Sequence, residues 1–311
     1  MDFFLLIAGI IGLWLGTEIT IGGALAIARR HNLSEFFVGL VVLSIGSDLP
    51  EIAVAVDAGI KGLMGQDASG VVVGSSLGSV VAQIGFVLGL GGLISYLTLP
   101  RDFVFRHGAV LLSATVVLFL VAFDGVVTRS EGLILIAFYT IYVVALMNGG
   151  NKPEAEPEMI AGGGLKSWLL LGVGLTTVVL GSEITVSSVV SIAQTFNISE
   201  ALIAVLIIGL GTSLPELSIS ISAIFKKKTQ MSVGNIIGSN ILDTLLPIGI
   251  AAVISAVKFE RDLLYFDLPY IFVLTSIVLG FFITRNGVRR PQAIVILSVY
   301  GVFVCVKLMQ F

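Results

Sequence analysis

Charge is scarce in this chain. Only 12% of its 311 residues are Asp, Glu, Lys or Arg, 56% are hydrophobic, and the mean hydropathy is +1.07. A soluble domain carries about 25% charged residues, so in water this chain would have too little charged surface to cover itself. A single cysteine, Cys305, excludes an internal disulfide and a cysteine-based zinc cluster. The only two histidines, His31 and His107, exclude a multi-histidine metal centre. A net charge of −3 leaves no basic field, so nucleic acid is not expected as a partner. These absences remove the soluble-enzyme readings. What remains is an all-α polytopic membrane protein with lipid around its apolar exterior.

A helix crosses about 30 Å of hydrocarbon with about 20 residues. Charged and polar breaks then delimit ten spans, near 3–28, 33–60, 70–97, 107–123, 130–148, 167–194, 199–225, 231–256, 266–284 and 291–309. The first follows Asp2 rather than a basic segment, so it is expected to be a retained helix and not a signal peptide. The polar stretch at 149–165 separates a five-span unit, 1–148, from a second, 166–311, and reads as a linker. Sorting the 17 Lys and Arg residues by alternate loops puts twelve on one side and five on the other. The positive-inside rule makes the richer side cytoplasmic, with the linker there and both termini outside the cell membrane.

The chain repeats itself. Leu15-Gly-Thr-Glu-Ile-Thr20 recurs as Leu180-Gly-Ser-Glu-Ile-Thr185, and Gly46-Ser-Asp-Leu-Pro-Glu51 as Gly211-Thr-Ser-Leu-Pro-Glu216. Residues 15–51 match 180–216 at 14 of 37 positions at a constant offset of 165. Gly74-Ser-Ser-Leu-Gly-Ser79 pairs with Gly234-Asn-Ile-Ile-Gly-Ser239 at an offset of 160. With five spans per copy, the second copy enters the membrane from the opposite side. Inverted-topology repeats of this kind are the architecture of secondary transporters, with the substrate site where the copies meet.

An ionisable group inside a span costs about 2.5–3.5 kcal/mol on insertion scales, so each is a functional candidate. Glu51 and Glu216 sit mid-span at equivalent positions, each directly after a proline. Pro50 and Pro215 cannot donate to the carbonyl four residues back, so both helices should break there. A broken membrane helix presents free carbonyl oxygens beside a carboxylate, a donor set suited to a hard cation such as Ca²⁺ or Na⁺. In the neighbouring spans, Gly74 with Gly78 and Gly234 with Gly238 are set for close helix approach. Ser79 with Gln83, and Ser239 with Asp243, share a helix face at i, i+4 and could complete an oxygen ring.

The segments Gly211-Thr-Ser-Leu-Pro-Glu216 and Gly234-Asn-Ile-Ile-Gly-Ser-Asn-Ile-Leu-Asp243 resemble the second repeat of the cation/calcium exchanger superfamily, and among its branches the prokaryotic sodium/calcium exchangers. The resemblance covers essentially the whole chain. It implies a Ca²⁺/Na⁺ antiporter, not an enzyme, working by alternating access with no cofactor beyond the transported ions. It implies that Glu51 and Glu216 hold Ca²⁺ with backbone oxygens at Ser47 and Thr212. Ser79, Ser213, Ser239, Gly209 and Ser44 fall at sodium-site positions, and Gln83 and Asp243 flank the centre. The lipid bilayer and inorganic cations are then the partners, and a monomer is the expected unit. Spans one and six would slide across the remainder.

The first repeat departs from the pattern. Asp48 replaces a sodium-ligating serine and Gln83 an asparagine. Asp48 lies one helical turn from Glu51, and like charges that close cannot all remain ionised without cations. A proton on Asp48, an additional cation there, and altered divalent selectivity such as Mg²⁺ or Mn²⁺ all stay open, as does a vestibule charge in cytoplasmic water. A proton-coupled or other-divalent exchanger of the same fold is the alternative function. Glu18 and Glu183, equivalent acids in spans one and six, are expected to gate or to support structure. Ser34 and Ser199 read as helix N-caps.

Overall fold

A computed structural model describes residues 2–31, 33–148, 164–195 and 213–310. The described residues are almost entirely helical. In chain order they form α1 (Asp2–His31), α2 (Glu35–Ser47), α3 (Leu49–Leu63), α4 (Ser69–Ile94), α5 (Arg101–Val121), β1 (Val126–Val127) and α6 (Arg129–Asn148). After the linker come α7 (Leu165–Thr195), α8 (Leu214–Phe225), α9 (Thr229–Ile254), β2 (Val257–Lys258), α10 (Leu263–Arg285) and α11 (Arg290–Gln310). Eight of these helices are long and apolar enough to cross a membrane, or nine when α2 and α3 count as one bent span; α8 is a shorter apolar helix.

Burial sorts the helices into inner and outer ones. The most apolar window of α9 is 83% buried and that of α4 72%, whereas α11 reaches 17% and α6 22%. The outer helices turn Leu120, Ile141, Leu169 and Val302 outward, which costs nothing against hydrocarbon. The two polar-bearing helices of the repeat, α4 and α9, therefore make the centre.

Glycine sets how closely these helices approach. A Cβ on Gly238 would stand 2.1 Å from the Leu40 carbonyl oxygen, and one on Gly234 2.5 Å from that of Phe36, so α9 is pressed against the backbone of α2. The expected close packing holds for this pair. At Gly74 and Gly78 of α4, no described residue comes within 4 Å of the Cβ position.

Helices α1 and α7 pack along each other antiparallel: Gly9 meets Thr185, Gly16 meets Val178 and Gly23 meets Leu171, one number falling as the other rises. Short strand pairings tie the loops at the helix ends. Val127 pairs with Val257, and Leu97 bridges to Val288. Arg101 and Arg106, expected in a loop, lie within the first turns of α5, which begins six residues earlier than the sequence suggested. Ser34 caps α2 as expected, accepting from Phe37 N at 3.1 Å; Ser199 lies outside the described residues.

Candidate functional site

The chain bends by 43° between α2 and α3. The hinge is Asp48, with φ −88° and ψ 8°, in the sparsely occupied bridge region of the backbone map. Pro50 then falls in the first turn of α3, where its missing N–H leaves nothing unpaired. The second copy repeats this geometry: Ser213, 165 residues on, has φ −92° and ψ 8°, and Pro215 opens α8. The break thus lies two residues before each proline, because the ring disturbs the turn that precedes it.

Each break leaves a glutamate inside the protein. Glu51 is 4% exposed and Glu216 is fully buried, as are Asp48 and Asp243. Full burial of Asp48 overturns the vestibule reading: α2, α3 and their neighbours close around it. Its Oδ1 accepts from Ser47 Oγ at 3.3 Å, and its carboxyl group lies close enough to that of Glu216 for the two to interact electrostatically. Ser44 is occupied locally, its hydroxyl donating to Leu40 O at 2.6 Å.

The second layer is a chain of amides from α4 and α9. Gln83 Nε2 donates to Asp243 Oδ2 at 3.0 Å, and Asn240 Nδ2 donates to Gln83 Oε1 at 3.0 Å. Gln83 lies in a π-helical stretch, Ala82–Val87, and a second such stretch, Val38–Leu43, runs into Ser44. A wider turn of this kind is frequent at functional sites, because it re-aims side chains within a helix. Asn240 was passed over in the sequence, since its equivalent in the first copy is the apolar Val80. The signal available was its place directly after Ser239.

The four carboxyl groups interact electrostatically, and none of the five ion pairs among the described residues involves any of them. Asp48 Oδ2, Glu51 Oε2, Asp243 Oδ1 and both Glu216 oxygens lack a hydrogen bond of ordinary geometry, as do the hydroxyls of Ser213 and Ser239. Buried charge without a counter-charge is strongly unfavourable. The cluster therefore calls for cations or protons. Among the described residues no three acidic, His or Cys side chains are gathered tightly enough to hold a metal by themselves. Ser79 is fully buried, one helical turn before Gln83 on α4. Thr212 and Gly209 lie outside the described residues.

A cavity of about 250 Å³ reaches Glu51 between Pro50, Val54, Ser182, Glu183 and Pro215. A further cavity of about 380 Å³ shares Glu183 and Ser187 with it and continues to Asp2. At the other end Lys226 pairs with Glu18 at 2.7 Å, and Ser222 Oγ donates to Thr17 Oγ1 at 3.1 Å, joining α8 to α1. Glu183 and Lys226 are the repeat equivalents of Glu18 and Lys61, yet Lys61 pairs with Asp57 at 2.7 Å.

Residues 1–148 and 166–309 match the family model described as sodium/calcium exchanger protein. Sodium/calcium exchanger MaX1 of Methanosarcina acetivorans is 26% identical, the alignment covering 98% of both chains. A membrane protein of Methanocaldococcus jannaschii, MJ0091, is 31% identical over 96% of this chain and 95% of its own. A solved structure of the sodium-calcium exchanger NCX_Mj, soaked with Na⁺ and Ca²⁺, superposes with a TM-score of 0.83 at 27% identity, covering 98% of this chain and 97% of that one.

Proposed function

Because the chain belongs to the sodium/calcium exchanger family, we propose that it exchanges Ca²⁺ for Na⁺ across a membrane at the cluster formed by Asp48, Glu51, Glu216 and Asp243. The observation that carries the site is this set of four buried carboxyl groups with no basic partner among the described residues. One Ca²⁺ or several Na⁺ would neutralise it, while the empty carrier would have to move uncompensated charge through a low-dielectric interior. That difference couples the two fluxes. A proton-coupled or other-divalent exchanger is not favoured by the family likeness.

In this reading Glu51 and Glu216 hold Ca²⁺ with the backbone oxygens of Ser47 and Thr212. Ser44, Ser79, Gly209, Ser213 and Ser239 serve sodium, with Gln83 and Asp243 between the two copies. No resident cofactor is needed, and the monomer contains the whole site. The ten spans form two inverted five-helix repeats. Matching backbone angles at Asp48 and Ser213, the antiparallel α1–α7 pair, and the two loop pairings, each joining the loop after the third span of one copy to that after the fourth span of the other, support that arrangement. The Glu183 cavity then opens to the outside of the cell membrane, where both termini also lie, and the Glu18–Lys226 pair closes the cytoplasmic end.

The test is radiolabelled Ca²⁺ uptake into proteoliposomes of the purified protein, driven by an outward Na⁺ gradient or by an outward proton gradient. Uptake with Na⁺ alone is expected. Uptake that needs the proton gradient, or that needs no counter-ion at all, would overturn the reading.

A further inference from the structure

The Leu97–Val288 bridge joins the loop after α4 to the loop after α10. Residues 93–106 and 283–292, which flank it, hold five arginines, Arg101, Arg106, Arg285, Arg289 and Arg290, against one acid, Asp102. The pairing of Val127 with Val257 has no such bias, since residues 122–131 and 254–263 hold four acids and three bases. All five arginines are exposed, and none of them joins an ion pair among the described residues, where all five pairs use lysine. Asp102 pairs with none of them.

Orienting a membrane chain needs only a surplus of basic residues on one side. It does not need guanidinium groups gathered at one point, and here they are gathered. Arg101 Nη2 donates to Asn286 Oδ1 at 3.5 Å and to Ile283 O at 3.4 Å. The Tyr96 hydroxyl donates to Asn286 O at 2.8 Å, and the Arg289 guanidinium lies over the Tyr96 ring, 4.2 Å from its centre. Arg290 Nε donates to Leu93 O at 3.3 Å. The turn beneath them is fixed: Asn286 is left-handed at φ 56°, and a Cβ on Gly287 would stand 2.1 Å from Leu97 O. Every partner is a carbonyl, an amide or a ring. Such partners hold the three guanidinium groups in place without neutralising them, and their planar forks suit phosphate oxygens.

The neighbouring apolar residues narrow the kind of anion. Phe105 lies one helical turn after Arg101 on α5, and Ile294 one turn after Arg290 on α11. Both are exposed, as is Ile94 at the end of α4. At i, i+4 each pair shares a helix face. Each face therefore offers a guanidinium at the helix end and, one turn of about 5.4 Å further along, an apolar side chain. A soluble anion would use only the first. A phospholipid uses both.

We propose that this end of the protein binds an anionic phospholipid, its phosphate taken by Arg101 and Arg289 and its acyl chains lying along Phe105 and Ile294. Arg290, Arg285 and Arg106 add positive potential around the headgroup. The site is independent of which cations the protein carries and rests only on the chain spanning a membrane.

Native mass spectrometry of the purified protein in detergent tests this, with palmitoyl-oleoyl phosphatidylglycerol and the zwitterionic phosphatidylcholine of the same chains as probes. The parent should bind phosphatidylglycerol more tightly than phosphatidylcholine. Arg101→Gln with Arg289→Gln should weaken phosphatidylglycerol roughly thirtyfold, since a basic residue beside anionic lipid contributes about 1 kcal/mol, and leave phosphatidylcholine unchanged. Arg29→Gln with Lys166→Gln removes two charges from the same side of the sequence-based topology and should change neither. Equal losses in the two double variants would reduce the effect to net charge and overturn the site. Equal affinity of the parent for both lipids would overturn headgroup recognition. Displacement of phosphatidylglycerol by millimolar inorganic phosphate would make this a site for a free anion and overturn the lipid. If the arginine variants do not fold, the parent still decides: its preference for phosphatidylglycerol should shrink as ammonium acetate is raised, and a preference indifferent to salt would overturn the role of the arginines.

Discussion

Gln83 and Asp243 stand at equivalent places in the two copies of the internal repeat, 160 residues apart, and the amide of the first donates to the carboxylate of the second at 3.0 Å. Two equivalent residues can touch only where the copies meet, so this bond marks the junction. One member is neutral, which puts a single negative charge there rather than two. Gln83→Glu would place two carboxylates at hydrogen-bond distance in a buried site. The expected result is a protein whose thermal stability without Ca²⁺ falls below the parent's and whose gain on Ca²⁺ addition is larger, since a ligand that binds only the folded state stabilises it. Equal melting curves for parent and variant in both conditions would contradict the arrangement.

Glu51→Gln and Glu216→Gln each remove one charge from the cluster while keeping side-chain volume. Na⁺-driven Ca²⁺ uptake should fall roughly a hundredfold or more, equivalent to about 2.8 kcal/mol, while the protein still elutes as a single species from size exclusion. Normal exchange by either variant would mean the cations bind elsewhere.

Packing of α9 on α2 should tolerate no side chain at Gly238, where a Cβ would come 2.1 Å from Leu40 O and 2.7 Å from Ser44 Oγ. Gly238→Ala should lose folded yield or lower the melting temperature in detergent sharply. Gly280→Ala, in α10 with nothing within 4 Å, should be neutral or stabilising by up to about 1 kcal/mol. The contrast between the two is the readout.

The Glu18–Lys226 pair has an unformed counterpart in Glu183 and Lys61. If the two copies exchange roles during transport, forming one pair should accompany loss of the other. With Cys305 replaced by serine, Glu18→Cys with Lys226→Cys and Lys61→Cys with Glu183→Cys can each be joined by a short bis-maleimide. Cross-linking yields of the two pairs should change in opposite directions as the Na⁺ and Ca²⁺ conditions are varied. Yields that rise and fall together would rule out the exchange.

Asp67, in the loop between α3 and α4, is held at about 2 by its hydrogen bond to Lys258, with help from Ser69. Its pKa is depressed in the folded state, so the tie is complete above the ordinary aspartate range and weakens only as pH falls toward 2. Asp67→Asn should therefore leave the shape of the exchange–pH profile between about pH 5 and 8 unchanged. A shifted profile would show that this loop takes part in the pH response.

Composition and pattern carried much of this protein before any fold was known. Scarce charge dictated a lipid environment, because hydrocarbon rewards what water penalises. The Leu-Pro-Glu repeat located both helix breaks to within two residues, because proline acts on its own turn. The acids at 51, 216 and 243 stood out because charge inside an apolar span is costly wherever it occurs. Other features came only from tertiary structure. Asp48 is sealed in rather than facing a vestibule, since its burial depends on helices from both copies. Asn240 reads along the chain as an ordinary polar residue of an apolar helix. Its meaning lies in a hydrogen-bond direction that starts at Asp243 and passes through Gln83, on a helix 160 residues away. Local chemistry can be read along a chain, whereas which buried donor meets which acceptor is decided only when distant helices pack.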